Sequence, residues 1–277
     1  METQMNGRFA RMPKIRKPAT CGLMGVLMCA CVLCPSASAD STALQALLDR
    51  ASSNVSAFLD TISEVNCTEH LTQERVAENG KTIEKRESAF DYLVLLSNTG
   101  GELNLVESRV AASSNKESDK APLLVSNGFS MLLLIFHPYY SGAFQFSLAN
   151  GDSDFAETLV QVNFQHIPGA RSPAALALRG REYPLEISGT AWIDPRSGVI
   201  QRIAARIGTE MEDVGLRTMK SEIDYAPVSF QTVPGTYWLP AHATVEVESR
   251  HQHWRNTHVF SAYKRFSVNT KEQVSHP

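Results

Sequence analysis

From Val65 onward the chain alternates apolar and polar residues in long runs, and this period of two commits most of it to antiparallel β-structure. The runs predict strands over 65–77 and 81–96 about the turn Glu78-Asn79-Gly80, then from Glu102 to Val110 after Gly100-Gly101. Phe144, Phe146 and Leu148 alternate next, followed by Val160, Val162 and Phe164 against Gln161, Asn163 and Gln165. Runs from Leu185 to Asp194 and from Val199 to Ile207 flank Pro195-Arg196-Ser197-Gly198, where Pro sets φ and Gly accepts a left-handed conformation, so a hairpin is expected. Further strands are expected at Thr218 to Tyr225, Tyr237 to Ser249 and Trp254 to Val268. Such a sheet has one dry face and one wet face.

A dry face needs a cover, and the sequence offers helices for it. Leu44, Leu47, Leu48, Ala51, Val55, Phe58, Leu59 and Ile62 recur at spacings of three and four and form one stripe, with Thr42 and Gln45 as a capping box. A second helix is expected from Pro122 to Phe136, apolar nearly all round and stopped by His137-Pro138. Between Ile167 and Glu182 a short helix is expected, with Ser172 as N-cap and Pro173 in the first turn. The expected fold is α+β: a strongly curved antiparallel sheet, an open half-barrel, with helices packed on its concave side.

The first residues read as an address. Arg8, Arg11, Lys14, Arg16 and Lys17 precede an apolar run from Cys21 to Cys34, and Ala37-Ser38-Ala39 supplies the small residues of a cleavage site. Residues 1–39 are expected to be a signal peptide, and 40–277 a single domain beginning at Asp40 in the periplasm or outside the cell, with no transmembrane anchor after cleavage. The remaining chain carries 21 Lys and Arg against 28 Asp and Glu, a formal charge of −7. No basic block offsets this, so nucleic acid is not an expected partner. Four of the five cysteines lie in the signal, and Cys67 alone remains, so no internal disulfide forms.

No motif of known chemistry stands out. Cys67 is near Glu69 and His70, yet on a strand positions 67 and 70 face opposite sides, so the thiol reads as a small apolar side chain. His251 and His253 share a strand parity with His258 nearby, but no carboxylate or cysteine completes a ligand spacing, and neither a metal nor any other cofactor is expected. Asp194 reads as a turn former, and Arg171, Arg179 and Arg181 read as solvated charges.

Gly189-Thr190-Ala191-Trp192-Ile193-Asp194-Pro195-Arg196-Ser197-Gly198-Val199-Ile200-Gln201-Arg202-Ile203, with the later Tyr237-Trp238-Leu239-Pro240, resembles the hairpin and following strand of the outer-membrane lipoprotein-sorting (LolA/LolB-like) superfamily. The order of elements over 41–268 is similar too. The resemblance implies an open half-barrel whose apolar hollow accepts acyl chains.

The leading expectation is therefore a carrier for a hydrophobic ligand, a lipid or lipidated peptide, held between the sheet and the Pro122 to Phe136 helix. Its expected ligand-binding residues are Leu124, Met131, Leu132, Leu133, Ile135, Phe136, Phe144, Phe146 and Trp192. Two other classes stay open: a scaffold or sensor that binds another envelope protein, and a hydrolase whose catalytic groups converge from distant strands.

Overall fold

The computed structural model describes residues 36–99, 102–112, 124, 126, 129–149, 159–178, 181–231 and 233–266. Residues 1–35, and with them most of the expected signal peptide, lie outside the described residues. No described helix is long and apolar enough to cross a membrane.

The chain starts with helix α1 (Ser36–Ile62), then runs as a meander of β1 (Val65–Val76), β2 (Thr82–Thr99) and β3 (Glu102–Ala111). A 3-10 helix (Phe129–Phe136) and a single turn, α2 (Pro138–Ser141), lead into β4 (Phe144–Leu148) and β5 (Val160–His166). A small separate hairpin, β6 (Ala175–Leu178) and β7 (Arg181–Pro184), precedes β8 (Ile187–Ile193) and β9 (Ile200–Ile207). Three long strands finish the chain: β10 (Leu216–Phe230), β11 (Val233–Ser249) and β12 (His253–Arg265).

Ten strands form one antiparallel sheet in the order β3-β2-β1-β12-β11-β10-β9-β8-β5-β4, with β3 and β4 as its edges; it neither closes into a barrel nor curls as strongly as the sequence led us to expect, since its two edge strands never pair. Register carries the burial pattern across it. In one row Phe164, Gly189, Ala205, Ser221, Val245 and Asn256 face the same side through successive pairings. The opposite row, Gln165, Ser188, Arg206, Lys220, Glu246 and Arg255, is polar. α1 and the 3-10 helix cover the dry face: α1 touches β1, β2 and β11, and the 3-10 helix touches β9, β10, β11 and α1.

The α1 stripe behaves as its spacing requires, with Leu47, Ala51, Val55, Leu59 and Ile62 all buried. The turn after β8 holds the helix in place. Arg50 Nη2 donates to the Pro195 carbonyl at 2.9 Å and Asn54 Nδ2 to the Ser197 carbonyl at 2.6 Å. Asp194 Oδ1 accepts from the Arg196 and Ser197 amides at 2.8 and 2.9 Å, and Gly198 closes the turn at φ +75°. Those backbone bonds, that of Ser197 first, hold the Asp194 carboxyl below its usual range.

Two expected helices take other forms. The apolar segment is a 3-10 helix over Phe129–Phe136 rather than a helix from Pro122, and Pro122 itself lies outside the described residues. Its five successive buried side chains, Leu132 to Phe136, show why no amphipathic face was legible: the segment is enclosed all round. The expected helix after Ser172 is the β6–β7 hairpin. Ser172 still makes a cap-like contact, its Oγ accepting from the Ala174 amide at 3.2 Å, but it also donates to the Leu185 carbonyl at 2.7 Å and so fastens the hairpin base instead of starting a helix.

Candidate functional site

A partly open hollow of about 250 Å³ lies between α1 and the sheet. Val55, Ala57 and Phe58 supply its helix wall, Leu133 reaches it from the 3-10 helix, and Ile200, Tyr225, Trp238 and Leu239 form the sheet side. A hollow of about 150 Å³ already admits a benzene-sized molecule. Phe58 and Tyr225 meet edge to face, ring centroids 6.3 Å apart.

Tyr225 gives this hollow its one unusual feature. The side chain is buried, and its hydroxyl has no hydrogen-bond partner among the described residues. Burial pushes the phenol well above its ordinary pKa, so the group stays a neutral donor. An unsatisfied buried hydroxyl costs about 1–3 kcal/mol, and because this oxygen is closed off even from the hollow, a ligand oxygen reaches it only when a neighbouring side chain shifts.

The sequence-predicted ligand residues are not gathered here. Leu133 lines the hollow, whereas Leu132, Ile135 and Phe136 are packed into the core. Phe136, Phe144 and Phe146 form an aromatic cluster beneath β4, with Phe136 and Phe146 centroids 5.3 Å apart. Met131 belongs to the 3-10 helix, but its side chain lies outside the described residues. Leu124 is at a different place, its carbonyl held by Gln73 and Asn256. Trp192 is on the other face of the sheet, since Ala191 and Ile193 on either side of it are buried inward, and Arg202 sits over its ring at 5.4 Å. Sequence reasoning had placed Val55 and Phe58 on a core stripe and had not marked Tyr225, whose parity with Ile223 was the available signal.

A second constellation was not expected at all. Glu69, Gln73, Asn256 and His258 project from β1 and β12 into the dry face and are buried. Arg109 Nε donates to Glu69 Oε2 at 2.5 Å and Nη2 to Oε1 at 3.0 Å, while His258 Nδ1 lies 2.7 Å from Oε1. Arg109 also meets Glu107 at 3.1 Å. Burial alone would raise the Glu69 pKa, but hydrogen bonds from His258 and Arg109 and the charge of Arg109 outweigh it and leave Glu69 below the usual carboxylate range. The parity set by Cys67, Leu71 and Phe260 carried the signal, because it turns these polar residues inward.

The expected thiol and metal candidates fall apart in space. Cys67 is buried and His70 is exposed on the opposite side of β1, and burial pushes the Cys67 thiol up to about 12. His251 is in the turn before β12, and among the described residues no group of three or more His, Cys, Asp or Glu side chains converges as a metal site. A broader, more open hollow of about 1150 Å³ lies along β4, β5 and β8 to β11, where Gln165, Arg206 and Lys220 stand beside Phe146, Phe164 and Ala205, so of the sequence-predicted ligand residues Phe146 lines this hollow and not the one under α1.

No family model matches the chain, and no curated protein matches it. Among solved structures the chain is similar to a DUF1329 family protein from Desulfovibrio piger, at 12% identity and a TM-score of 0.40 over 82% of this chain and 94% of that one. It is also similar to a LolA superfamily protein from Nitrosomonas europaea, at 12% identity and a TM-score of 0.34 over 81% of this chain and 94% of that one; the likeness is weak.

Proposed function

We propose that this chain is an exported binding protein that carries a hydrophobic ligand, a lipid or the acyl chain of a lipidated peptide, in the hollow beneath α1. The observation that carries this reading is the hollow itself, lined mainly by apolar side chains with Asn54, Thr61 and Thr236 among them, and the buried, unpartnered Tyr225 hydroxyl beside it. An acyl group fits both halves of that chemistry, burying methylenes at about 0.8 kcal/mol each while its oxygen accepts from the phenol. In this reading residues 40–277 work as one periplasmic or secreted domain, the sheet is a half-barrel, and the helices with their ligand sit on its concave side.

Saturable uptake of a fluorescent fatty acid tests it. Tyr225→Phe should weaken binding of the fatty acid by about 5- to 13-fold, the worth of one hydrogen bond of about 1–1.5 kcal/mol, and leave binding of a plain hydrocarbon unchanged. Absence of saturable uptake by the wild-type protein rejects the carrier.

Docking of another envelope protein along β3 is the second reading. It is favoured by Leu95 and Val106, paired across β2 and β3 and exposed by 52% and 57%.

A further inference from the structure

We propose that Ser126, His258 and Glu69 form a nucleophile relay that hydrolyses carboxylic esters. Ser126 Oγ lies 3.0 Å from His258 Nε2, and His258 Nδ1 lies 2.7 Å from Glu69 Oε1. The three come from separate parts of the chain, brought together by the pairing of β1 with β12 and by the bonds that Asn256 makes to Leu124 and Ser126. This activity goes beyond the carrier reading and uses another site, since none of the three lines the hollow under α1.

Burial is graded along the relay. Glu69 and His258 are wholly shut off from solvent, and Ser126 is half-buried at the outer end. In the neutral imidazole, donation of Nδ1–H to Glu69 leaves the Nε2 lone pair facing the serine hydroxyl, which is the tautomer a general base requires. The two-bond grip of Arg109 fixes the carboxylate in its charged form, so Glu69 can orient the ring and stabilise an imidazolium. Asn256 Nδ2 donates to Ser126 Oγ at 2.7 Å and to the Leu124 carbonyl at 2.9 Å, and Gln73 donates to the same carbonyl at 2.6 Å. Those bonds fasten Leu124 and Ser126 to the sheet beside the Ser126–His258 contact. A buried imidazole oriented by a buried carboxylate is costly, and here it points its second nitrogen at a hydroxyl nearer the surface, the arrangement that nucleophile activation needs.

The reaction follows from these positions. Ser126 Oγ forms a bond to the ester carbonyl carbon as its proton passes to His258 Nε2; the C–O bond to the alcohol then breaks, and the alcohol leaves with that proton. Water next attacks the acyl-serine, gives a proton to Nε2, and the carboxylic acid departs as Ser126 regains its hydrogen. The net change is ester plus water to acid plus alcohol. Ser126 and His258 are catalytic residues in this scheme, and Glu69 is a positioning residue.

The purified protein should be treated with a fluorophosphonate probe, the modified peptide mapped by mass spectrometry, and p-nitrophenyl butyrate hydrolysis followed in parallel. The expected result is one probe adduct on Ser126 in the folded wild type, none after heat denaturation, and no hydrolysis above buffer by Ser126→Ala. His258→Gln should lower the labelling rate at least ~100-fold at a temperature where circular dichroism shows it folded. Glu69→Gln should lower kcat with KM unchanged, which loss of folded protein alone also mimics unless active sites are titrated, so kcat is expressed per titrated site. A folded wild type that takes no label at Ser126, or a Ser126→Ala variant that hydrolyses the ester at the wild-type rate, overturns the proposal.

Discussion

Arg109 on β3 reaches across the width of β2 to grip Glu69 on β1 with two hydrogen bonds, of 2.5 and 3.0 Å. It passes the Tyr92 ring, which its guanidinium approaches to 5.1 Å from the centroid. An edge strand is thereby tied to the strand that meets the rest of the sheet. Arg109→Leu leaves Glu69 buried without its cation and should cost about 3–5 kcal/mol in urea unfolding. Adding Glu69→Leu should recover part of that loss, because apolar burial replaces an unpaired charge. A double variant no more stable than the single one would contradict this account.

The same carboxylate makes stability depend on acid. Unfolded, Glu69 titrates near its ordinary 4.5, and folded it titrates lower. The contribution is therefore fully present above the ordinary value and is lost as pH falls through the folded one. Wild-type unfolding free energy should decline more steeply below about pH 4.5 than that of Glu69→Gln. Equal slopes would place the acid sensitivity elsewhere.

Gly198 and Gly80 both sit at positive φ, +75° and +80°, but only Gly198 is crowded: an added Cβ would come within 2.5 Å of Arg50 Cβ. Gly80→Ala should cost about 1–2 kcal/mol of backbone strain. Gly198→Ala should cost a further ~1–3 kcal/mol, because α1 must shift off the turn. Thermal melts of the two variants measure the difference, and equal losses would mean that α1 is not seated there.

With its thiol pKa at about 12 and its side chain buried, Cys67 should not react with a thiol-specific disulfide reagent in the native protein at neutral pH. In protein that starts at Asp40, and so keeps Cys67 alone of the five cysteines, one equivalent should react after denaturation in guanidinium. Native reactivity would show that β1 opens at its Tyr263 contact.

Export is tested by N-terminal sequencing of protein recovered outside the cytoplasm, which should begin at Asp40. A mature terminus at Cys29, Cys31 or Cys34 carrying lipid would replace a free domain with a membrane-attached one.

The elements set by local rules were legible. The Asn79-Gly80 turn, the α1 stripe and the Asp194 to Gly198 hairpin each depend on residues close in sequence and lie where their patterns place them, although α1 starts at Ser36, so Thr42 and Gln45 are inside it and do not form the expected capping box. The 3-10 helix was not legible, because burial on every side erases the periodicity that distinguishes helix types. The small β6–β7 hairpin was missed because Ser172 and Pro173 satisfy a helix start and a strand base equally well. For the candidate sites, the failure was one of partners. Glu69 and His258 are 189 residues apart, and neither pattern says that the other is opposite it. Tyr225 was hidden for the related reason that an unpaired hydroxyl is visible only once its surroundings are known.

The sheet order also says when this chain can finish folding. β1 pairs with β12, so the meander of β1 to β3 has no strand pairing with the other seven strands of the sheet until the final strand is present. A chain leaving the ribosome from its N-terminus would hold that meander as an unsupported fragment, with both β3 and β1 open to mispairing, for nearly the whole of synthesis. Closing the β1–β12 seam joins residues as far apart as Val65 and Arg265, a high-separation contact that slows folding. The architecture thus suits a polypeptide kept unfolded until it is complete and released all at once, and an N-terminal deletion that spares the C-terminal strands should harm the molecule no more than a C-terminal truncation that removes β12 alone.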